Sequence, residues 1–181
     1  MTTPRTILCF GDSNTHGTLA MHTPADRRRL PRPARWPSVM AQHLGAGWEV
    51  IAEGHPGRTA VFDDPVEGRH KNGLRVLPAL LETHRPIDLV IVMLGTNDLK
   101  ARFNASATDI ALGLGRLAGE IRKSDCGPDE RAPEVLLVAP VPISETGVFA
   151  EIFKGGAEKS RALPAILRTV AQRVGVGFAD L

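Results

Sequence analysis

The 181-residue sequence has no tyrosine, only two tryptophans and two cysteines, and no histidine after His84. Cys9 and Cys126 are too few and too far apart for a disulfide framework, so a reducing, cytoplasmic setting is the expectation. No group of His, Cys, Asp and Glu has the spacing of a zinc site, and no metal is expected. Long apolar runs are also missing, which excludes a bilayer-spanning helix. The opening MTTPRTILCF reads as a short strand rather than a secretory leader. Neither sign of charge dominates, with 22 Lys and Arg against 20 Asp and Glu. Arg27, Arg28 and Arg29 stand together without interleaved aromatics. They read as a solvated basic loop, not a nucleic-acid contact.

What is present is an ordinary apolar fraction, 43%, arranged as alternating strand-like and helix-like segments. Apolar runs at 6–10, 48–53, 88–94, 134–139 and 174–178 predict five strands. Between them, segments near 34–45, 73–84, 106–123 and 157–173 place apolar residues at helical spacing, as at Ile110, Leu114, Leu117 and Ile121. That alternation predicts an α/β fold with three α/β/α layers around a five-stranded parallel sheet and right-handed crossovers. Residues 124–133, SDCGPDERAP, read as a surface loop, and the chain reads as a single domain over 1–181.

Three of the strand-like runs end in small polar clusters. The first leads into Gly11-Asp12-Ser13-Asn14, the second into Gly54-His55-Pro56-Gly57-Arg58-Thr59, and the third into Gly95-Thr96-Asn97-Asp98. Ser13 falls where a strand turns into a helix, a position that exposes its hydroxyl and leaves its N–H free. Each cluster alone also fits a plain turn, and Asn97 with Asp98 fits a helix cap. In a parallel sheet, however, the carboxyl ends of the strands converge on one edge, which is where ligands bind.

GDSN at 11–14, the glycine of GHPGRT at 57 and GTND at 95–98, taken in order, resemble the first three motif blocks of the SGNH (GDSL-type) hydrolase family. The stretch DLVIVMLGTNDLK is similar to the arylesterase and acyltransferase branch of that family. The resemblance implies a flavodoxin-like fold and a serine esterase that uses no cofactor and acts on a small-molecule ester. Ser13 would attack the acyl carbon. The Ser13 N–H, the Gly57 N–H and the Asn97 side-chain amide would hold the oxyanion. The chemistry asks for such residues: fixed donors aimed at the developing charge lower the barrier, glycine lets backbone approach closely, and asparagine donates without ionising. Asp12, Thr96 and Asp98 are read as supporting residues, the two aspartates holding turns through side-chain to backbone bonds. Branch members form oligomers, so self-association is expected.

The sequence departs from the family where the base should be. A serine hydroxyl needs a proton acceptor, usually histidine steered by a carboxylate. In the family pattern both come from an Asp-x-x-His block after the fifth strand, and this sequence has none. Its histidines are His16, His22, His43, His55, His70 and His84. The expectation is a C-terminally incomplete domain that lacks the catalytic loop and its helix. Two alternatives stay open: His16 or His55 acts as base, or the site binds without turnover. Asp180 has no histidine three residues on and is set aside.

Two loops are candidates for shaping a substrate site, residues 18–35 and the apolar segment from Ala139 through Val148, Phe149, Ile152 and Phe153. A reading from another class also stands. Ser13 through Thr18 loosely resembles the hydroxyl-rich phosphate loop of flavodoxins, although Trp36 and Trp48 are poorly placed to sandwich a flavin.

Overall fold

Five strands form one all-parallel sheet in the computed structural model, which describes residues 4–181. They are β1 (Arg5–Gly11), β2 (Trp48–Gly54), β3 (Leu89–Met93), β4 (Glu134–Val138) and β5 (Gly177–Ala179), in the spatial order β2-β1-β3-β4-β5. Helices α1 (Ser13–His16), α2 (Trp36–Leu44), α3 (Gly73–His84), α4 (Ala107–Lys123) and α5 (Gly156–Val174) connect them.

The inner strands β1, β3 and β4 carry near-continuous apolar runs because both of their faces are covered, whereas the edge strand β2 is interrupted by Glu49 and Glu53. Along β1 the side chains alternate: Leu8 and Phe10 join the core that α3, α4 and α5 close with Leu77, Ile110, Leu114, Leu117, Leu163 and Leu167. Ile7 and Cys9 face the other way, with Ile91, Met93 and Val138, against Trp36 and Met40 of α2. The two layers are unequal, because three helices cover the first face and one helix covers the second.

Four strands and all four long helices lie close to where the apolar pattern places them. The fifth strand does not. It was expected at 174–178, yet α5 continues through Val174 and ends on left-handed Gly175, whose N–H bonds to the last helical carbonyls. Strand pairing with β4 begins only at Gly177. The run Val174-Gly175-Val176 therefore serves as helix end and cap before it becomes strand. At the start of α4, Ser106 and Asp109 form a reciprocal capping box.

Strand order is what assembles the site. With β1 between β2 and β3, the three strand ends that carry the polar clusters become neighbours. The chain also switches direction across the sheet at β1, the usual position of a ligand crevice. No helix among the described residues is long and apolar enough to cross a membrane.

Candidate active site

The turn after β1 is built for close approach. A Cβ on Gly11 would run into Thr15 Oγ1, and one on Gly54 would run into the backbone of His16, so α1 packs directly on the ends of β1 and β2. Asp12 is fully buried and caps α1 by accepting the Asn14 N–H at 2.9 Å. Left-handed Gly17 closes the turn, donating to Ser13 O at 2.9 Å. Ser13 is thus the first residue of a single helical turn. Among the described residues neither its N–H nor its hydroxyl is hydrogen-bonded to protein.

Gly57 lies in the turn after β2 with φ +82°. A Cβ there would stand 2.5 Å from Glu67 Oε2 and 3.2 Å from Lys71 Cε, which together with the positive φ requires glycine. Its N–H also donates to no described protein acceptor. The loop is stitched to β1 through His55 N–H to Gly11 O at 3.0 Å.

Asn97, buried in the 3₁₀ turn Asn97–Leu99, sends its amide Nδ2 to Arg58 O at 3.1 Å and to Asp12 Oδ2 at 3.4 Å. The second bond is long and weak, so that N–H is the one able to turn toward a ligand oxygen. Thr96 Oγ1 accepts from Asn14 Nδ2 at 3.4 Å, a light tie between the first and third clusters. Asp98 caps no helix. Its carboxylate accepts the Ala60 N–H at 2.9 and 3.1 Å and pins the loop after β2 to the loop after β3. Burial pushes its pKa up to about 7 and that of Asp12 up to about 6.

Several charged residues that hold this arrangement have no assigned role in the sequence reading. Arg58 is buried, donates Nη1 to Gly11 O at 3.0 Å and to Glu53 O, and lays its guanidinium over Phe10. Burial draws its pKa down to about 10. Lys100, also buried, pairs with Asp64 at 3.4 Å and with Glu67, while Arg102 reaches Asp64 at 3.0 Å. Arg58 offered a signal only in its place beside Gly57. Asp64, Glu67 and Lys100 carry no local signal of these contacts, and only tertiary contact buries the first and last of them.

His16, His55 and His84 each have a side-chain partner. His16 Nδ1 meets Thr18 Oγ1 at 2.9 Å, and burial followed by Arg29 and Arg35 lowers its pKa. His55 Nε2 lies 3.2 Å from Lys71 Nζ, and burial first, then Lys71, pulls its pKa down to about 4. His84 pairs with a carboxylate, Glu53 at 2.9 Å, and that pair ties the end of α3 to β2. Asp180 is exposed. No described group of three His, Cys, Asp or Glu could hold a metal ion.

The loops divide. Arg28 pairs with Asp26 on the surface, as a solvated loop would, but Arg29 donates Nε to His16 O at 2.6 Å and braces α1. After β4, Ile143 and Phe153 pack on the core, whereas Val141 and Val148 are exposed. The flavin reading meets two obstacles. Thr15 is buried beneath Gly11, and Trp36 and Trp48 pack on the sheet face under α2 instead of flanking the loop. Two cavities of about 410 and 240 Å³, lined by Arg85 and Asp125 and by Asp88 and Arg131, lie at the amino ends of β3 and β4, remote from Ser13.

Comparison with known proteins shows which family and fold the chain shares. A model of the GDSL-like Lipase/Acylhydrolase family matches residues 9–181. The native M. smegmatis aryl esterase is 43% identical with a TM-score of 0.92, the match covering 97% of this chain and 83% of that one. Est24, a carbohydrate acetylesterase from Sinorhizobium meliloti, is 40% identical with a TM-score of 0.91 and the same coverage. AlinE4, an SGNH-hydrolase family esterase, shares the fold at 21% identity and a TM-score of 0.67, over 99% of this chain and 77% of its own. No curated protein sequence matches the chain.

Proposed function

The chain belongs to the GDSL-like lipase/acylhydrolase family, and from that premise we propose that it is a serine esterase acting on short acyl esters of aryl or simple alcohols through an acyl-enzyme on Ser13. The observation that carries the reading is the meeting of three donors at adjacent strand ends. The Ser13 and Gly57 N–H groups are free of protein acceptors, and the Asn97 amide holds its second N–H in a 3.4 Å bond to Asp12. Donors arranged in this way stabilise a tetrahedral oxyanion without reorganising. In the proposed step Ser13 Oγ forms a bond to the acyl carbon, its proton leaves to a base, and the alcohol departs as the carbonyl re-forms. Water then repeats the sequence on the acyl-enzyme.

Asp12, Thr96 and Asp98 support the donors, and none of the six histidines is assigned as base. The relatives named above, an aryl esterase and a carbohydrate acetylesterase, support a small acyl group and leave the alcohol broad. Transfer of the acyl group to an alcohol or peroxide belongs to the same proposal. So do a single domain over the whole chain, a cytoplasmic setting and self-association through the exposed Val141 and Val148.

The test is p-nitrophenyl acetate hydrolysis by the chain and by Ser13→Ala, each with and without added imidazole, which supplies a base from solution. Release that depends on Ser13 and rises with imidazole beyond the Ser13→Ala background is expected. Equal rates for the two proteins under both conditions would sink the reading.

A further inference from the structure

The donor at Gly57 is half of a peptide unit whose other half is already occupied. Lys71 Nζ donates to Pro56 O at 2.8 Å, and the Pro56 carbonyl and the Gly57 N–H are the two ends of one planar amide. A cation bonded to the carbonyl oxygen draws electron density through that amide and makes its N–H a stronger donor. Hydrogen bonds chained in this way reinforce one another by about 10–30% each, more when one partner carries charge.

Lys71 is also held at both of its ends. Its own carbonyl accepts the Thr59 N–H at 2.9 Å, and its side-chain carbons pass beside Gly57, where a Cβ would meet Cε at 3.2 Å. A further ammonium hydrogen points to His55 Nε2 at 3.2 Å, and His55, neutral because of its burial and of Lys71 itself, accepts it. Burial first, with Lys100 and Arg58, draws the Lys71 pKa below its ordinary value, while Glu67 and Asp64 favour the ammonium.

We propose that Lys71 is a positioning residue of the oxyanion hole, fixing the Pro56–Gly57 peptide and polarising it so that the Gly57 N–H binds the developing oxyanion more strongly. The proposal rests on the serine-esterase reading for its purpose, but its central claim concerns one amide and can be read without turnover.

The experiment is amide NMR of the chain and of Lys71→Met, Lys71→Gln and Lys71→Arg, each titrated with phenylboronic acid. Boron takes up Ser13 Oγ to give a tetrahedral anion, and the serine proton passes to solvent. In Lys71→Met the Gly57 amide proton should move upfield and boronic acid affinity should fall by about 5- to 20-fold, well short of the ~10²–10³ expected for losing a whole donor. Lys71→Gln should fall between, and Lys71→Arg should restore both readouts to within about twofold of the parent. A brace without polarisation would lower the melting temperature and leave the Gly57 resonance where it was. An unmoved Gly57 amide in Lys71→Met and Lys71→Gln, or boronic acid binding unchanged in both, overturns the proposal. Failure of the parent reading looks different: phenylboronic acid would then leave the Ser13, Gly57 and Asn97 resonances of the unmodified chain undisturbed, and the Gly57 shift alone would decide the role of Lys71.

Discussion

The segments that follow β2 and β3 are tied to each other by buried charges, whereas the segment that follows β4 is held through Ile143, Glu145 and Ile152 and leaves Val141 and Val148 exposed. Arg58, Asp64, Asp98 and Lys100 are each no more than 5% exposed, in loops where charged residues normally face water. After β4, Ile143 N–H bonds to Ser160 Oγ and Glu145 accepts from Ala157 N–H, while Val141, two residues before Ile143, is 61% exposed. Burying ion pairs is a poor way to gain stability, because desolvation offsets much of the attraction. What such pairs do supply is a single geometry, since each partner is costly to leave unmatched. The rigid pair of loops holds Gly57 and Asn97, two of the three donors proposed for the oxyanion, where small displacements matter. The looser loop contributes none of these donors.

The largest effect should come from breaking the rigid side at its centre. Asp64→Ala strands Lys100 and Arg102 on Glu67 alone and removes the acceptor for the Val66 and Glu67 N–H groups, a loss of about 3–5 kcal/mol in urea unfolding. Asn97→Ala removes one of the proposed oxyanion donors together with its bonds to Arg58 O and Asp12. Turnover should drop by about 10²–10³, which is ~2.7–4 kcal/mol of barrier, with little change in KM.

The carboxylates predict a smaller, pH-dependent effect. Asp12 and Asp98 titrate near about 6 and about 7 when folded, above the unfolded value of ~3.9. The folded chain therefore keeps protons that the unfolded chain has released, and stability should fall as pH rises from about 4 to about 7, then level off. Asp98→Asn keeps an acceptor for the Ala60 N–H and cannot ionise. It should shrink the difference in melting temperature between pH 5 and pH 8, and an undiminished difference would place the titration elsewhere. On the loose side, Val141→Ser should change stability by no more than about 0.5 kcal/mol, while the same kind of change at buried Leu99 should be felt throughout the core.

The same contrast explains what could be read in advance. Strands such as Thr6–Phe10 and helices such as α4 announce themselves by local periodicity, and Ser13, Gly57 and Asn97 by their places at strand ends. Asp98 was legible as a turn-holding residue but not as one that holds a different loop, because its partner Ala60 is 38 residues away. Lys71 and Lys100 carried no local mark at all. A lysine in a polar loop looks the same whether its ammonium faces water or a carbonyl, and only the fold decides. The early placement of the fifth strand failed for a related reason, since a short Val-Gly-Val run suits a helix end as well as a strand.

Cys9 lies at the centre of β1, fully buried, four residues before Ser13, and burial pushes its thiol pKa up to about 12. A thiol in that state is inert to alkylating reagents until the strand leaves the sheet. Its rate of modification, followed on the peptide that carries both Cys9 and Ser13, is then a clock for the opening of the strand that leads into Ser13. The protein carries this built-in reporter without any added label.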